Sequence, residues 1–163
     1  MSDIENFAVR VREASSRGAV IPCEGEEILE LARARGFNDL ALIHEEGRTY
    51  AYSEQHMTRA YAELAARAGS EDVLHAIAET VRSDSATYPR PTPVSAFCAK
   101  PFRFAPEQLE TALLQLAAHP KYEDIQLVSA SDGSRYLFSS NHLAAAHAAS
   151  LAEWLSVGRF QNP

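Results

Sequence analysis

An internal repeat constrains the possible fold of this chain more than any other feature of its sequence. Residues 37–43 read FNDLALI and residues 122–128 read YEDIQLV. Each is followed by a second matching stretch, GRTYAYSEQH at 47–56 and GSRYLFSSNH at 133–142, with one extra residue in the second turn. The shared Asp, Gly, Tyr, Ser and His do not follow from an alanine-rich composition. We therefore predict that this segment was duplicated.

Each copy is predicted to fold as helix, strand, hairpin turn, strand and helix. The aliphatic runs 40–43 and 125–128 are too short for a helix and are typical of buried strands. Asp132-Gly133 favours a tight hairpin turn, because a type I′ turn needs positive φ. Ser53 and Ser139 stand where a helix N-cap belongs, directly ahead of apolar stripes at helical spacing.

A hairpin with two helices is marginal alone, so the two copies are expected to bury a joint core. The sequence predicts an α+β fold in which tandem duplicated helix–β-hairpin–helix units form a pseudo-twofold domain with about four antiparallel strands and surrounding helices. We predict an N-terminal repeat at 1–83 with two extra helices, a Pro-rich connector at 84–105 and a C-terminal repeat at 106–163. The extra helices follow a capping box, Ser2-x-x-Glu5, and Ser70.

Five proline residues support the same division of the chain. Pro22 and Pro106 stand near the predicted starts of the helices that precede each hairpin, where a missing N–H costs little. The connector carries Pro-x-Pro-x-Pro from Pro89, a pattern that favours extended, semi-rigid chain. The functional alternative is that this segment is a ligand for a proline-reading groove.

The charge balance limits the classes of partner. The 163 residues include 15 Lys+Arg and 22 Asp+Glu, a net charge of −7 at pH 7. Such an acidic surface repels phosphate backbones and anionic lipids, so neither a nucleic-acid nor a membrane partner is predicted. No apolar run approaches the ~20 residues of a membrane span, and the N-terminus lacks the apolar core of a signal peptide. We expect a soluble, cytoplasmic, acidic protein.

Two histidine residues, His56 and His142, are equivalent in the repeat and are candidate ligand or interface residues. Each is predicted at the third position of a helix, where the positive end of the helix dipole favours neutral imidazole. A neutral imidazole can act as a base, an electrophile or a metal ligand. In the structural alternative, the ring imitates the Glu of a capping box.

Asp39 and Asp124 also recur, each entering a strand after an aromatic residue. Either carboxylate can fix the turn by accepting backbone N–H groups, or can orient the histidine of its own copy as a base. The sequence indicates no serine or cysteine nucleophile beside these aspartates, so we assign no catalytic residue. No cofactor or metal site is predicted, because ligand spacings and Gly-rich phosphate loops are absent from the sequence.

The aromatic residues of the return strand recur as Tyr50 with Tyr52 and as Tyr136 with Phe138. On a half-buried sheet they are predicted to be core residues. If the helices covered the opposite face, these four residues would instead form an exposed platform for a partner or flat ligand, with Tyr50 and Tyr136 as the candidate interface residues.

These observations favour a non-catalytic accessory or protein-interaction module over an enzyme, because no convincing catalytic set is present. Open sheet edges predict a protein partner or a homo-oligomer. The alternative is a small ligand-binding protein or enzyme with a site between the two repeats, built from the equivalent histidines.

Overall fold

The chain divides into two compact units, Met1–Ser70 and Glu71–Pro163, in a computed structural model that describes residues 2–159. The described residues contain six α-helices and two three-stranded antiparallel sheets. The predicted α+β class is therefore confirmed. None of the described helices combines the length and the apolar character needed to cross a membrane.

The first unit builds one sheet and three helices. Its elements are α1 (Asp3–Ser16), β1 (Ile21–Pro22), α2 (Glu27–Ala34), β2 (Leu40–Glu45), β3 (Arg48–Ser53) and α3 (Arg59–Ala68). The strands lie in the order β1-β3-β2. The predicted capping box at the start of α1 is confirmed: the Ser2 hydroxyl accepts from the Glu5 amide, and the Glu5 carboxylate accepts from the Ser2 amide.

Helices cover both faces of this sheet, as the alternation of side chains along β2 requires. Leu40 packs in one cluster with Val11 of α1 and Leu29 of α2. Ile43, which points to the other face, packs with Met57 and with Ala62 of α3. The sheet therefore forms the middle layer of the unit.

The second unit has the same order of helices and strands. Its elements are α4 (Val73–Thr87), β4 (Thr92–Pro93), a 3₁₀ turn (Val94–Cys98), α5 (Pro106–Ala118), β5 (Ile125–Ser129), β6 (Arg135–Ser139) and α6 (Ala145–Glu153). The strands lie in the order β4-β6-β5. As predicted, Pro106 occupies the first turn of α5. Phe97 of the 3₁₀ turn is fully buried.

The prediction of about four strands was too low, because each hairpin gains a third strand from its own unit. Pro22 lies in β1 and pairs with Tyr50, so its predicted place near a helix start was wrong. In the second unit, Thr92 of β4 pairs with Leu137. A two-residue strand is too short to show the alternation by which strands are recognised in a sequence.

The division of the chain differs from the predicted boundary at residue 83. Helix α4 belongs to the second unit, and residues 84–105 lie inside that unit rather than between repeats. Pro91 is fully buried, and Thr92 completes a sheet. The Pro-rich composition is typical of a connector, but here its extended geometry supplies an edge strand.

The predicted N-cap roles of Ser53 and Ser139 were wrong. Both residues end buried strands. Helix α3 begins at Arg59 with Thr58 as its side-chain cap, and α6 begins at Ala145 without a side-chain cap. The two serine hydroxyls are instead bonded to aspartate carboxylates. Likewise, the residue that caps α4 is Asp72 rather than Ser70.

A pair of truncations tests this division. A fragment of residues 71–163 is expected to fold by itself, because it contains a complete sheet and its covering helices. A fragment of residues 84–163 lacks most of α4 and is expected to lose dispersed amide chemical shifts and helical circular dichroism. Equal folding of the two fragments would contradict the boundary before α4.

Candidate functional site

In the first unit, a hydrogen-bonded cluster ties helix α1 to the open end of the β2–β3 hairpin. The Arg12 guanidinium donates to both carboxylate oxygens of Asp39, with Nε–Oδ2 at 3.1 Å and Nη2–Oδ1 at 2.5 Å. The hydroxyl of Ser53 donates to the same carboxylate, and the amide of Ser53 donates to Ser15 Oγ at 2.8 Å. The guanidinium also lies 4.6 Å from the centre of the Phe37 ring. Three separate segments therefore meet at one carboxylate.

The second unit contains the same set of contacts at the corresponding elements. The Arg82 guanidinium of α4 donates to Asp124, with Nε–Oδ2 at 3.0 Å and Nη2–Oδ1 at 2.7 Å. Ser139 Oγ donates to Asp124 at 2.6 Å, and the Ser139 amide donates to Ser85 Oγ at 3.0 Å. The Arg82 guanidinium lies 5.6 Å from the centre of the Tyr122 ring. We call each set of Arg, Asp and two Ser residues a clamp.

The clamp serine of the helix continues the hydrogen bonding of the sheet. In the first unit, β1 pairs with only two residues of β3, Tyr50 and Ala51. The buried amide of Ser53 lies beyond this short strand and would otherwise have no acceptor. Ser15 Oγ supplies that acceptor, which avoids the cost of a buried, unpaired N–H.

The clamp also sets the ionisation of the two aspartates. Hydrogen bonding to Arg12, with a smaller contribution from the Ser53 hydroxyl and against the effect of burial, lowers the pKa of Asp39 to about 2. Hydrogen bonding to Arg82 lowers the pKa of Asp124 to about 2, with the same support from Ser139. Each carboxylate is therefore ionised at neutral pH, and each is mostly buried, with 7% and 9% of the side chain exposed.

This arrangement makes both aspartates anchoring groups. Their carboxylate oxygens are bonded to Arg and Ser, which is not the predicted base–orienter couple with histidine. A carboxylate held in a bidentate ion pair at a pKa of about 2 is a poor proton acceptor at neutral pH. The other predicted role of Asp39 and Asp124 was to accept backbone N–H groups, whereas the main hydrogen-bond donors found here are Arg and Ser side chains.

The two candidate histidines lie in exposed turns that precede α3 and α6. His56 donates its amide to the Ser53 carbonyl, and His142 donates its amide to the Ser139 carbonyl, both at 3.1 Å. Neither residue lies in the first turn of a helix, so the predicted effect of the helix dipole on their rings is wrong. His56 lines a shallow depression together with Tyr52 and Arg59.

The aromatic pairs are core residues for the most part. Tyr52, Tyr136 and Phe138 are buried, and Tyr50 is half-buried. The Tyr136 hydroxyl forms a hydrogen bond of 2.6 Å with Ser156 Oγ. The core interpretation of these residues agrees with their burial, since aromatic bodies lie inside while the hydroxyl reaches a polar partner.

Sequence reasoning missed the Arg and Ser residues that complete the clamps. A signal for them is present, because residues 11–15 read VREAS and residues 81–85 read VRSDS. The motif Val-Arg-x-x-Ser places the arginine and serine about one helical turn apart, on one side of the helix. It was missed because the predicted repeat began after these helices.

An apolar surface in the second unit is the other candidate site. A cavity of about 230 Å³ lies between α5 and the sheet, and seven of its nine lining residues are apolar. Leu114 of α5 and Leu127 of β5 line it while remaining 74% and 53% exposed. The Glu110–Arg135 ion pair borders it. We use the name β5 surface for Leu114, Leu127 and the edge of β5 that pairs with no strand in residues 2–159.

Within residues 2–159, no three His, Cys, Asp or Glu side chains are grouped closely enough to hold a metal ion. Cys23 is buried and its Sγ donates to the Gly25 carbonyl, whereas Cys98 is exposed. Neither thiol lies in a clamp.

The fold and the clamps define a class: a two-unit α+β protein in which an Arg–Asp pair anchors a helix to a three-stranded sheet. Residues 71–160, more than half of the chain, match the family described as YdhW C-terminal domain. The chain therefore belongs to that family, and the match coincides with the second unit.

One relative comes from Escherichia coli (strain K12) and bears the name "Uncharacterized protein YdhW". It is 35% identical to this chain over 137 residues, which are 83% of this chain and 64% of the relative. The chain thus spans less than two thirds of that protein. No solved structure matches the chain.

The lowered pKa of the clamp aspartates predicts how stability depends on pH. Each folded-state pKa of about 2 lies below the ordinary value of 3.8, so the unfolded chain binds more protons between these values. Each clamp stabilises the fold fully above about pH 4 and is lost as the pH falls towards 2. We expect each to contribute about 1–2 kcal/mol above that window.

Urea denaturation at pH 2 to 7 measures this dependence. Asp39→Asn and Asp124→Asn are each expected to flatten part of the fall in the free energy of unfolding below pH 4. Asp132→Asn, in the exposed hairpin turn, serves as the control and should leave the profile unchanged. A wild-type profile that stays flat from pH 5 to pH 2 would contradict the role given to the clamps.

Proposed function

We propose that this chain is a non-catalytic protein-interaction module whose docking site is the β5 surface. The observation that carries the proposal is the exposure of Leu114 and Leu127 beside an unpaired strand edge. Adjacent apolar side chains at a sheet edge combine two sources of binding free energy, apolar burial and main-chain hydrogen bonds.

The internal use of the recurring polar groups supports a binding role over catalysis. Asp39 and Asp124 have their carboxylates bonded to Arg and Ser, and His56 and His142 lie in exposed turns. The aspartates therefore anchor the fold and the histidines lie on the surface. In contrast, the β5 surface exposes apolar side chains that no element of residues 2–159 covers.

We also propose that the two units arose by tandem duplication. The duplicated segment would be longer than the sequence repeat of residues 37–56 and 122–142. The order of elements in the two units, and the presence of a clamp in each, support this origin. Under this proposal α1 and α4 are equivalent helices, and so are α2 and α5. The pseudo-twofold arrangement of the copies stays a prediction.

The alternative, a ligand-binding protein or enzyme with a site between the repeats, stays a weaker hypothesis. The depression beside His56 is the observation in its favour. The predicted ligand site uses both equivalent histidines, so His142 would have to contribute to it together with His56.

Site-specific photocrosslinking in cells of the native host tests the proposed function. A benzophenone amino acid at position 114 is expected to give a discrete covalent adduct with a polypeptide. The same amino acid at position 31, a leucine that is 46% exposed on α2, is the matched control and should give none. Absence of an adduct specific to position 114 would contradict a docking site at the β5 surface.

A further inference from the structure

We propose that the β5 surface binds a second copy of this chain, by antiparallel pairing of β5 with the same strand across a twofold axis at Leu127. This inference rests on the proposed function and names the occupant of its docking site. Five observations lead to it: the direction of the free backbone groups, the symmetry of the strand, its lack of charge, the exposed leucines, and the protected edge of the other sheet.

The hydrogen bonds at the two ends of the β5–β6 ladder fix which backbone groups are free. The Ser140 amide donates to the Asp124 carbonyl, and the Ala130 amide donates to the Ser134 carbonyl, both at 2.8 Å. Hydrogen-bonded and non-hydrogen-bonded residue pairs alternate along an antiparallel ladder. The backbone N–H and C=O groups of the even-numbered residues in 124–130 therefore point towards β6. The N–H and C=O groups of Ile125, Leu127 and Ser129 therefore point to the open edge.

These outward groups are arranged symmetrically about Leu127, the middle residue of β5. A twofold axis there places Leu127 opposite Leu127 of the second copy, and the two exchange both main-chain hydrogen bonds. Ile125 then lies opposite Ser129, and the same bonds repeat on each side of the axis. Such an isologous contact is closed and self-complementary, so it stops at a dimer.

The absence of charge on the strand makes self-pairing possible for an acidic chain. The residues of β5 are Ile, Gln, Leu, Val and Ser, none of which is ionised. In the proposed register Asp124 lies opposite Ala130, and Glu123 lies opposite Ser131, which binds the Glu153 carboxylate, so carboxylates of the two copies approach each other only at the ends of the contact. A net charge of −7 is therefore kept away from the centre of the contact.

The same pairing removes exposed apolar area from water. Leu127 projects to the face of the sheet that carries the cavity, as does Leu114 of the neighbouring helix. In a sheet continued across the axis, this face is shared by both copies. The two leucines of each copy then lie beside those of the other, which supplies an apolar centre for the contact.

In the first unit, the outer edge of strand β2 is protected by side chains. In β2, the outer Leu40 carbonyl accepts from both Nε and Nη2 of Arg33 on α2, at 3.2 and 2.8 Å. The strand also ends in two polar, titratable residues, His44 and Glu45. Helix α5 has no Lys or Arg that could do the same for β5. Just before β5, the Glu123 carbonyl accepts from Gln126 Nε2 at 2.7 Å, but within residues 2–159 no side-chain hydrogen bond caps the backbone of residues 125–129 at this edge. Charged and capped edges resist pairing, and uncapped edges invite it.

Sedimentation velocity on the full chain tests the proposal. A short strand contact with a small apolar centre predicts a reversible monomer–dimer equilibrium in the micromolar range. Leu127→Lys places two ammonium groups opposite each other and is expected to weaken the dimer at least about tenfold. Leu31→Lys, at a leucine of similar exposure on α2, is the matched control and should leave the equilibrium unchanged.

Mixing two variants separates loss of pairing from loss of fold. Leu127→Lys and Leu127→Glu are each expected to be monomeric, and an equimolar mixture is expected to form a heterodimer through opposite charges at the axis. Ser129→Pro removes an outward N–H without affecting the ladder to β6, and it should also weaken the dimer.

Two results would overturn self-pairing. One is a wild-type chain that stays monomeric at high micromolar concentration, and the other is a dimer that Leu127→Lys and Ser129→Pro both leave intact. If a monomeric chain still crosslinks through position 114 to a different polypeptide in cells, the second copy is the wrong occupant and the interaction module stands. If both experiments are negative, the proposed function fails as well.

Discussion

The structure depends on one partly buried ion pair that occurs in both units, because a carboxylate at the open end of each hairpin binds the helix and connects it to both strands. Arg12 and Asp39 do this in the first unit, and Arg82 and Asp124 do it in the second. A hairpin of five or six residues per strand is marginal in water without such anchoring. The clamp holds the covering helix at one place along the sheet, and the apolar contacts of Val11 and Val81 then form around it.

The clamps and the β5 surface have opposite chemical characters. In a clamp, the aspartate carboxylate and the amide and hydroxyl of the strand serine are bonded inside their own unit, so little of the carboxylate is left for an external molecule. At the β5 surface, one edge of the strand has no neighbouring strand within the described chain, and two leucine side chains remain exposed. The edges of β2 and β5 differ because of the helices beside them. Helix α2 carries Arg33, which binds the edge of β2, whereas α5 carries only apolar and uncharged residues in its last two turns.

The sequence predicts the hairpins and the helices that follow them, because aliphatic runs, Asp-Gly and helical spacing report local geometry. It does not predict β1 and β4, since two residues carry no periodic pattern. Ser53 and Ser139 were misread as helix caps because a serine before an apolar stripe has the same appearance in either role. The arginine partners of Asp39 and Asp124 lie on helices distant in sequence, and only the repeated Val-Arg-x-x-Ser motif indicates them.

A double-mutant cycle between Arg82 and Asp124 tests the central role of the clamp most directly. Free energies of unfolding are measured for Arg82→Met, Asp124→Asn, the double variant and wild type, with the exposed pair Glu110–Arg135 as the control cycle. The account predicts a coupling of at least about 1.5 kcal/mol for the clamp and a much smaller coupling for the exposed pair. Equal couplings, or a clamp coupling near zero, would contradict it.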